Sequence, residues 1–120
     1  MKEFMMIFRH VPDPANQPSP EDLQEMVKHW QNWIGGIAAQ DKFVATNSLG
    51  YEGKLLKPDG TVTDGPYAEI KEVVGGYIVV KAADIDEALS MANGCPNLQM
   101  GGTVEVRDIM VIPNAENYGE

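Results

Sequence analysis

The chain has 120 residues, a length typical of a single domain that can bury a hydrophobic core. Hydrophobic residues make up 43% and charged residues 22%, as in ordinary globular proteins. The formal net charge is −9, and such an acidic surface repels phosphate backbones, so direct nucleic-acid binding is not expected. The single cysteine excludes an intrachain disulfide and fits a reducing compartment. The N-terminal apolar run, Phe4 to Phe8, is too short for a signal sequence or a membrane span, so we expect a cytoplasmic protein.

The first half of the chain predicts a strand and a long helix. Glu3 to Arg9 is apolar on both faces of a strand and is followed by a Pro-rich loop over 10–20, which would contain His10. Ser19 is a suitable N-cap and Pro20 a suitable first helical residue. The predicted helix, 20–40, is amphipathic, with apolar residues at helical spacing: Leu23, Met26, Val27, Trp30, Ile34 and Ile37. The glycine pair Gly35-Gly36 would fray the last turn or admit a neighbouring backbone.

The second half begins with short extended pieces joined by a turn at Pro58-Asp59-Gly60, which predicts a hairpin. A third main strand follows at 76–82. Asp84 and Glu87 then form a capping-box-like helix start, and Asn93-Gly94 and Pro96 stop the helix. We expect this helix to turn four residues inward: Ile85, Ala88, Leu89 and Ala92. The last strand is predicted from Thr103 to Ile112, and residues 113–120 form a loose tail of the single domain 1–120.

This order of elements predicts an α+β fold of the ferredoxin-like, split βαβ type, with an antiparallel sheet and two helices on one face. The first and third strands also carry apolar residues on the other face, which two helices cannot cover. A second copy related by a two-fold axis is the simplest cover, so we expect a homodimer. The alternative is that the segment 42–75 folds back over the sheet within one chain.

One segment, 63–80, combines the turn Asp64-Gly65-Pro66, a charged run, the glycine pair Gly75-Gly76 and an apolar strand. With DIDEA at 84–88, Cys95-Pro96 and the stretch 101–107, it resembles the YCII-related proteins, in the branch named for its DGPF motif. Tyr67 stands where the name-giving Phe would be, and Ile70 where Thr is common. The resemblance implies a bacterial protein with the dimeric α+β barrel architecture. It implies no agreed reaction.

Asp64 is the first candidate for a chemical role. In the wider YCII family an Asp and a His have been proposed as an acid–base pair, and the family pattern places a histidine on the first helix. The resemblance therefore implies that His29 and Asp64 form a catalytic pair, provided that the hairpin places Asp64 beside the first helix. The alternative is that the Asp64 carboxylate only caps the turn, and that His29 is a half-exposed residue packed on Trp33. We treat His10 as a loop residue.

Other candidates are polar residues of the sheet and of the acidic loop. If Glu105 and Arg107 point away from the helices, they would line the dimer cleft with Arg9, where an arginine could clamp a carboxylate or phosphate. The alternative is a structural Glu–Arg network that ties the two subunits together. Tyr67 and Glu69 are further candidate ligand-binding residues, although aromatic residues near glycines often only pack and charge runs are usually solvated.

Several site types are not expected. No metal-ligand spacing, no Gly-rich phosphate loop before a helix and no Gly-x-Ser-x-Gly elbow occurs, so we predict neither a metal nor a cofactor. Cys95 is expected to be a packed thiol. Two hypotheses on function remain. The first is a small-molecule-binding protein or small acid–base enzyme with a cleft between the sheet and the 58–75 loop. The second, suggested by the resemblance, is a non-catalytic protein-interaction module linked to transcription regulation.

Overall fold

A computed structural model describes residues 1–11, 18–50, 52–64 and 72–113, with the side chain of Asp64 excepted. Most of the predicted tail, 113–120, lies outside these ranges. Nine helices and strands are present in the described part. In chain order they are β1 (Lys2–His10), α1 (Pro20–Ala39), β2 (Phe43–Ser48), β3 (Lys54–Leu56), β4 (Val62–Asp64), β5 (Val73–Ala82), α2 (Ile85–Met91), α3 (Pro96–Gln99) and β6 (Thr103–Asp108).

The main sheet has four strands in the order β2-β5-β1-β6, and every neighbouring pair is antiparallel. This order, with α1 and α2 as the two crossover helices, confirms the predicted ferredoxin-like α+β fold. The remaining strands, β3 and β4, form a separate antiparallel hairpin. No helix in the described ranges is both long and apolar enough to cross a membrane.

The core lies between the helices and one face of the sheet. Because side chains alternate along a strand, the even-numbered residues Phe4, Met6 and Phe8 of β1 all face the helices and are buried. Phe8 packs edge to face against Trp30 and Trp33 of α1, with ring centroids 4.9 and 5.9 Å apart. The indole N–H of Trp33 donates a hydrogen bond of 3.1 Å to the Met91 carbonyl oxygen, which ties α1 to α2.

The predicted helix starts and hairpin turn are confirmed. The Ser19 hydroxyl accepts a 3.1 Å hydrogen bond from the Asp22 amide, and the Asp84 carboxylate accepts one of 2.8 Å from the Glu87 amide. Each cap satisfies an amide that the first turn leaves unpaired. In the turn between β3 and β4, Gly60 has a φ of 88°, a conformation that side-chain-bearing residues rarely adopt.

Several element boundaries differ from the predictions. Strand β1 includes His10, which pairs with Val73, and the last strand ends at Asp108 rather than Ile112. Pro96 stops no helix but begins the additional short helix α3, because proline fits the first helical position. The glycine pair does not fray α1, because the helix continues to Ala39. No neighbouring backbone approaches the pair either, since no atom of another element lies within 4 Å of a Cβ added at Gly35 or Gly36.

The inward face of the second helix was predicted only in part. Ala88 and Ala92 are buried, but Ile85 and Leu89 are 47% and 55% exposed. This seven-residue helix therefore buries a narrow stripe of small side chains and leaves its larger ones outside. Leu23 of α1 is likewise 48% exposed, so the described sheet does not cover the first turns of that helix.

Candidate functional site: a cavity between the first helix and the sheet

A cavity of about 610 Å³ lies between α1 and the ends of three strands. Pockets that hold small molecules usually measure roughly 300–1,000 Å³, so this cavity has the size of a ligand site. Its lining comes from β1, α1, β2, β5 and α3. The residues are Phe8, His10, Met26, Val27, Trp30, Gln31, Ile34, Thr46, Asn47, Ser48, Gly75, Gly76, Asn97 and Met100.

The cavity lies where strand β5 carries its glycine pair, Gly75-Gly76, at the third and fourth positions. The pairing of β1 with β5 shifts between Phe8 and Arg9, so that Phe8 is opposite Gly76, Arg9 is opposite Val74, and Gly75 is an extra, bulged residue. A Cβ on Gly76 would lie 2.8 Å from the Asn47 carbonyl oxygen, which excludes any side chain there without a backbone shift. The two glycines place no side chains beneath α1 and leave the space open.

His10 stands at one end of the cavity. It is on the same face of β1 as the buried residue Phe8, two positions further along the strand. Its imidazole lies against the bulge, since a Cβ built on Gly75 would be 3.1 Å from Nδ1 and Cε1 of the ring. The interpretation of His10 as a loop residue was therefore wrong. The alternation Phe4, Met6, Phe8, His10 was the signal in the sequence that could have placed it.

Asn97 closes the same end of the cavity and is 4% exposed. Its side-chain amide donates two hydrogen bonds, one of 3.1 Å to the Arg9 carbonyl oxygen and one of 2.8 Å to that of Thr103. The side chain thereby joins α3 to the adjacent strands β1 and β6. Gly102 passes so close that an added Cβ would lie 2.5 Å from the Arg9 carbonyl oxygen and 2.6 Å from Nδ2 of Asn97.

The cavity wall carries no fixed charge in the described part of the chain. None of the residues that line it there is a lysine, arginine, aspartate or glutamate, and His10 is the ionisable side chain among them. Phe8, Val27, Trp30 and Ile34 provide apolar surface. The arrangement can accommodate a molecule with an apolar body and can form hydrogen bonds with a polar group on that molecule.

The predicted pair of His29 and Asp64 stays a prediction. His29 lies on α1, is exposed, and does not line the cavity, which is on the flank of the helix with Val27 and Gln31. Asp64 is the last residue of β4, but its side chain is outside what the structure describes, as are Tyr67 and Glu69 and the remaining residues 65–71. The predicted cleft beside the 58–75 loop is not tested for the same reason.

The predicted set of Arg9, Glu105 and Arg107 does come together, on the sheet face away from the helices. The Arg9 guanidinium forms an ion pair with the Glu105 carboxylate, and Nε of Arg107 lies 3.8 Å from Oε2 of the same carboxylate. Cross-strand pairing explains the placement, since Glu105 and Arg107 are opposite Ile7 and Met5 of β1. The three side chains thus form a Glu–Arg network within one chain, while its predicted roles in joining two subunits and in ligand binding stay predictions.

Two further predictions concern metals and the thiol. Within the described ranges, no group of three or more His, Cys, Asp or Glu side chains could hold a metal ion. Cys95 is buried, as expected for a packed thiol, and this burial raises its pKa above the ordinary value of 9.0.

Comparison with known proteins gives two relatives and a family. The chain is 28% identical over 106 residues to the large ribosomal subunit assembly factor BipA of Synechocystis, a match that covers 78% of this chain and 18% of BipA. It is 31% identical over 91 residues to the uncharacterized protein R00369 of Rhizobium meliloti, which covers 66% of this chain and 73% of that protein. The model of the YCII-related domain matches residues 3–113, so the chain belongs to the YCII-related family.

Proposed function

We propose that this protein binds a small molecule in the cavity between α1 and the sheet. The observation that carries this proposal is the cavity itself, about 610 Å³ of space held open by the glycine pair of β5. The space opens to solvent beside the exposed residues Val27, Gln31 and Met100, so a ligand can enter it without unfolding the core. A ligand that enters it would replace water next to apolar side chains, which favours binding.

The composition of the wall supports the proposal. Small-molecule sites are mostly apolar, with a few polar groups that fix the orientation of the ligand. Here the apolar surface comes from residues such as Trp30 and Ile34, and the polar groups include His10 and Ser48. The alternative function, a non-catalytic protein-interaction module, requires no ligand in this space. One experiment on the cavity therefore separates the two hypotheses.

The experiment fills the cavity from its exposed side. Val27 of α1 lines the cavity and is 53% exposed, so Val27→Trp adds bulk there with little effect on the core. Leu23 is one helical turn earlier, 48% exposed and not part of the lining, so Leu23→Trp is the matched control. A small-molecule library is screened against all three proteins by ligand-observed saturation-transfer NMR. We expect compounds that bind the wild type and Leu23→Trp but not Val27→Trp.

Two results would contradict the proposal. If Val27→Trp bound the same compounds as the wild type, binding would occur elsewhere. If a library that samples charged, neutral and apolar compounds yielded no binder at millimolar concentration, the cavity would not be a ligand site and the interaction module would be favoured.

We also propose that two copies pair through the sheet face away from the helices. Met5 and Ile7 are only partly buried on that face, and exposed apolar surface on a sheet often marks an interface. The described strands of the hairpin, β3 and β4, make little contact with the four-stranded sheet. This disfavours the alternative of cover by the 42–75 segment as far as its described part goes.

Sedimentation at micromolar concentration tests the dimer. The wild type should sediment as a dimer, and Ile7→Lys, which places a charge in the proposed interface, should sediment as a monomer. The control is Leu89→Lys on α2, because Leu89 is exposed and lies on the helix side of the sheet. A stable, folded wild-type monomer would refute this proposal without bearing on ligand binding.

A further inference from the structure

We infer that the ligand of this cavity is an uncharged molecule with an apolar body and a hydrogen-bonding group that lies against His10. The inference rests on the proposed small-molecule function and adds the chemical class of the ligand. It depends on three features of the described residues: the lack of fixed charge in the wall, the polar side chains of the wall that have no partner there, and the position of His10 on a strand.

The first feature disfavours a charged ligand. Burying an ion away from water is costly unless an opposite charge pairs with it, and the described wall offers no carboxylate, ammonium or guanidinium group. The guanidinium of Arg9 is adjacent to His10 in the chain, but it lies on the opposite face of the sheet and is paired with Glu105. The net charge of −9 further disfavours an anion.

The second feature is the distribution of polar groups. Asn97 already uses its amide to donate to two backbone carbonyl oxygens. Among the described residues, by contrast, the side chains of His10, Gln31 and Ser48 form no hydrogen bond with one another or with the backbone. These three line the cavity together with apolar residues and can serve a ligand. Such a wall fits a molecule with an apolar body and a hydrogen-bonding group.

The third feature is that His10 lies on a strand and its ring packs beside the Gly75 bulge. His10 is the last residue of β1, pairs with Val73, and has its ring against the backbone of Gly75. Sites on regular elements hold their groups more precisely than sites on loops. A neutral imidazole has one donor and one acceptor nitrogen, so it can bind a hydroxyl, a carbonyl or an amide without requiring charge. His10 is therefore the group that we expect to set the orientation of the ligand.

The test uses four probes with one ring and different substituents: toluene, benzyl alcohol, benzoate and benzylamine. Each is titrated into the ¹⁵N-labelled wild-type protein at about pH 7.5, where benzoate is an anion and benzylamine a cation. Dissociation constants are measured from the shifts of the Trp30 and Gly76 amides. We expect benzyl alcohol to bind at least about tenfold more tightly than either ion. This arm needs no mutant.

The second arm isolates His10. His10→Phe keeps a ring of similar size and removes the hydrogen-bonding nitrogens. Asn32→Phe is the control, because Asn32 is exposed on α1 and does not line the cavity. We expect His10→Phe to weaken benzyl alcohol about fivefold or more and to leave toluene unchanged, which shows that the cavity is intact. Asn32→Phe should bind both probes as the wild type does.

The outcomes separate the two proposals. Benzoate or benzylamine binding as tightly as benzyl alcohol would overturn the assignment of an uncharged ligand and leave the small-molecule function standing. Equal loss of toluene and benzyl alcohol in His10→Phe, or no loss of either, would overturn the role of His10. If none of the four probes bound the wild type, the ligand class would fail, and the library screen described above would decide the function independently.

Discussion

Replacing Asn97 by alanine should be among the most destabilising single changes near the cavity. The side chain is 4% exposed and donates hydrogen bonds to two backbone carbonyl oxygens, those of Arg9 and Thr103. Each buried acceptor left without its donor costs about 1–3 kcal/mol. Water entering the cavity can partly serve these oxygens, so we take a total of about 2–4 kcal/mol. Unfolding entropy of about 2.1 cal/mol/K per residue gives about 0.25 kcal/mol/K for this chain, which converts the loss to a fall in Tm of roughly 8–16 °C.

Thermal unfolding followed by circular dichroism measures this effect. The matched control is Asn93→Ala, because Asn93 is exposed in the turn before α3 and its side chain forms no hydrogen bond among the described residues. Substitutions at such surface sites change stability by about 0.5 kcal/mol or less, so the control should melt within about 2 °C of the wild type. If Asn97→Ala also melted within about 2 °C, Asn97 would not hold the end of the cavity together.

Three further predictions concern glycine, pH and the thiol. Gly102→Ala should lower the free energy of unfolding by about 1–3 kcal/mol, because the new Cβ would lie 2.5 Å from a backbone oxygen of β1. Gly36→Ala in α1 should raise it by about 1 kcal/mol, because that site is open, and equal effects of the two substitutions in urea unfolding would contradict this. Hydrogen bonds from the Thr61 hydroxyl and amide hold the pKa of the Asp59 carboxyl below its ordinary value of 3.8. These bonds therefore stabilise the folded protein above that ordinary pKa, and the contribution is lost as the pH falls through the lowered pKa. An NMR titration midpoint for Asp59 at or above 3.8 would refute this prediction. At about pH 8, Cys95 should react with a thiol reagent far more slowly in the native protein than in urea, because burial raises its pKa and blocks access of the reagent. Similar rates in the two conditions would show that the thiol is accessible.

The fold was largely predictable because its signals are local. The apolar alternation of β1, the capping residues Ser19 and Asp84 and the Pro58-Asp59-Gly60 turn each depend on neighbouring residues alone. The exposure of Leu89 was not predictable in this way. Which side of a short helix meets the core depends on where the helix lies over the sheet, and that is a property of the whole fold.

The cavity was not predictable because five elements that are distant in the chain form it. A glycine pair inside a strand signals a bulge or a close approach, but its consequence depends on α1 passing above it and on Phe8 lying opposite. His10 could have been assigned to the same face of β1 as Phe4, Met6 and Phe8, had the predicted strand been extended by one residue. The meeting of Arg9 with Glu105 depends on the register between β1 and β6, which the sequence does not encode locally.

A crystal structure of the protein as purified, without added ligand, tests the central claim most directly. The account predicts electron density for a small molecule between Trp30 and Gly76, with a polar atom within hydrogen-bond distance, roughly 2.6–3.2 Å, of the His10 imidazole. If the space is instead filled by side chains of the protein, or if a bound molecule lies on the opposite face beside Arg9 and Glu105, the assignment of this cavity as the ligand site is wrong.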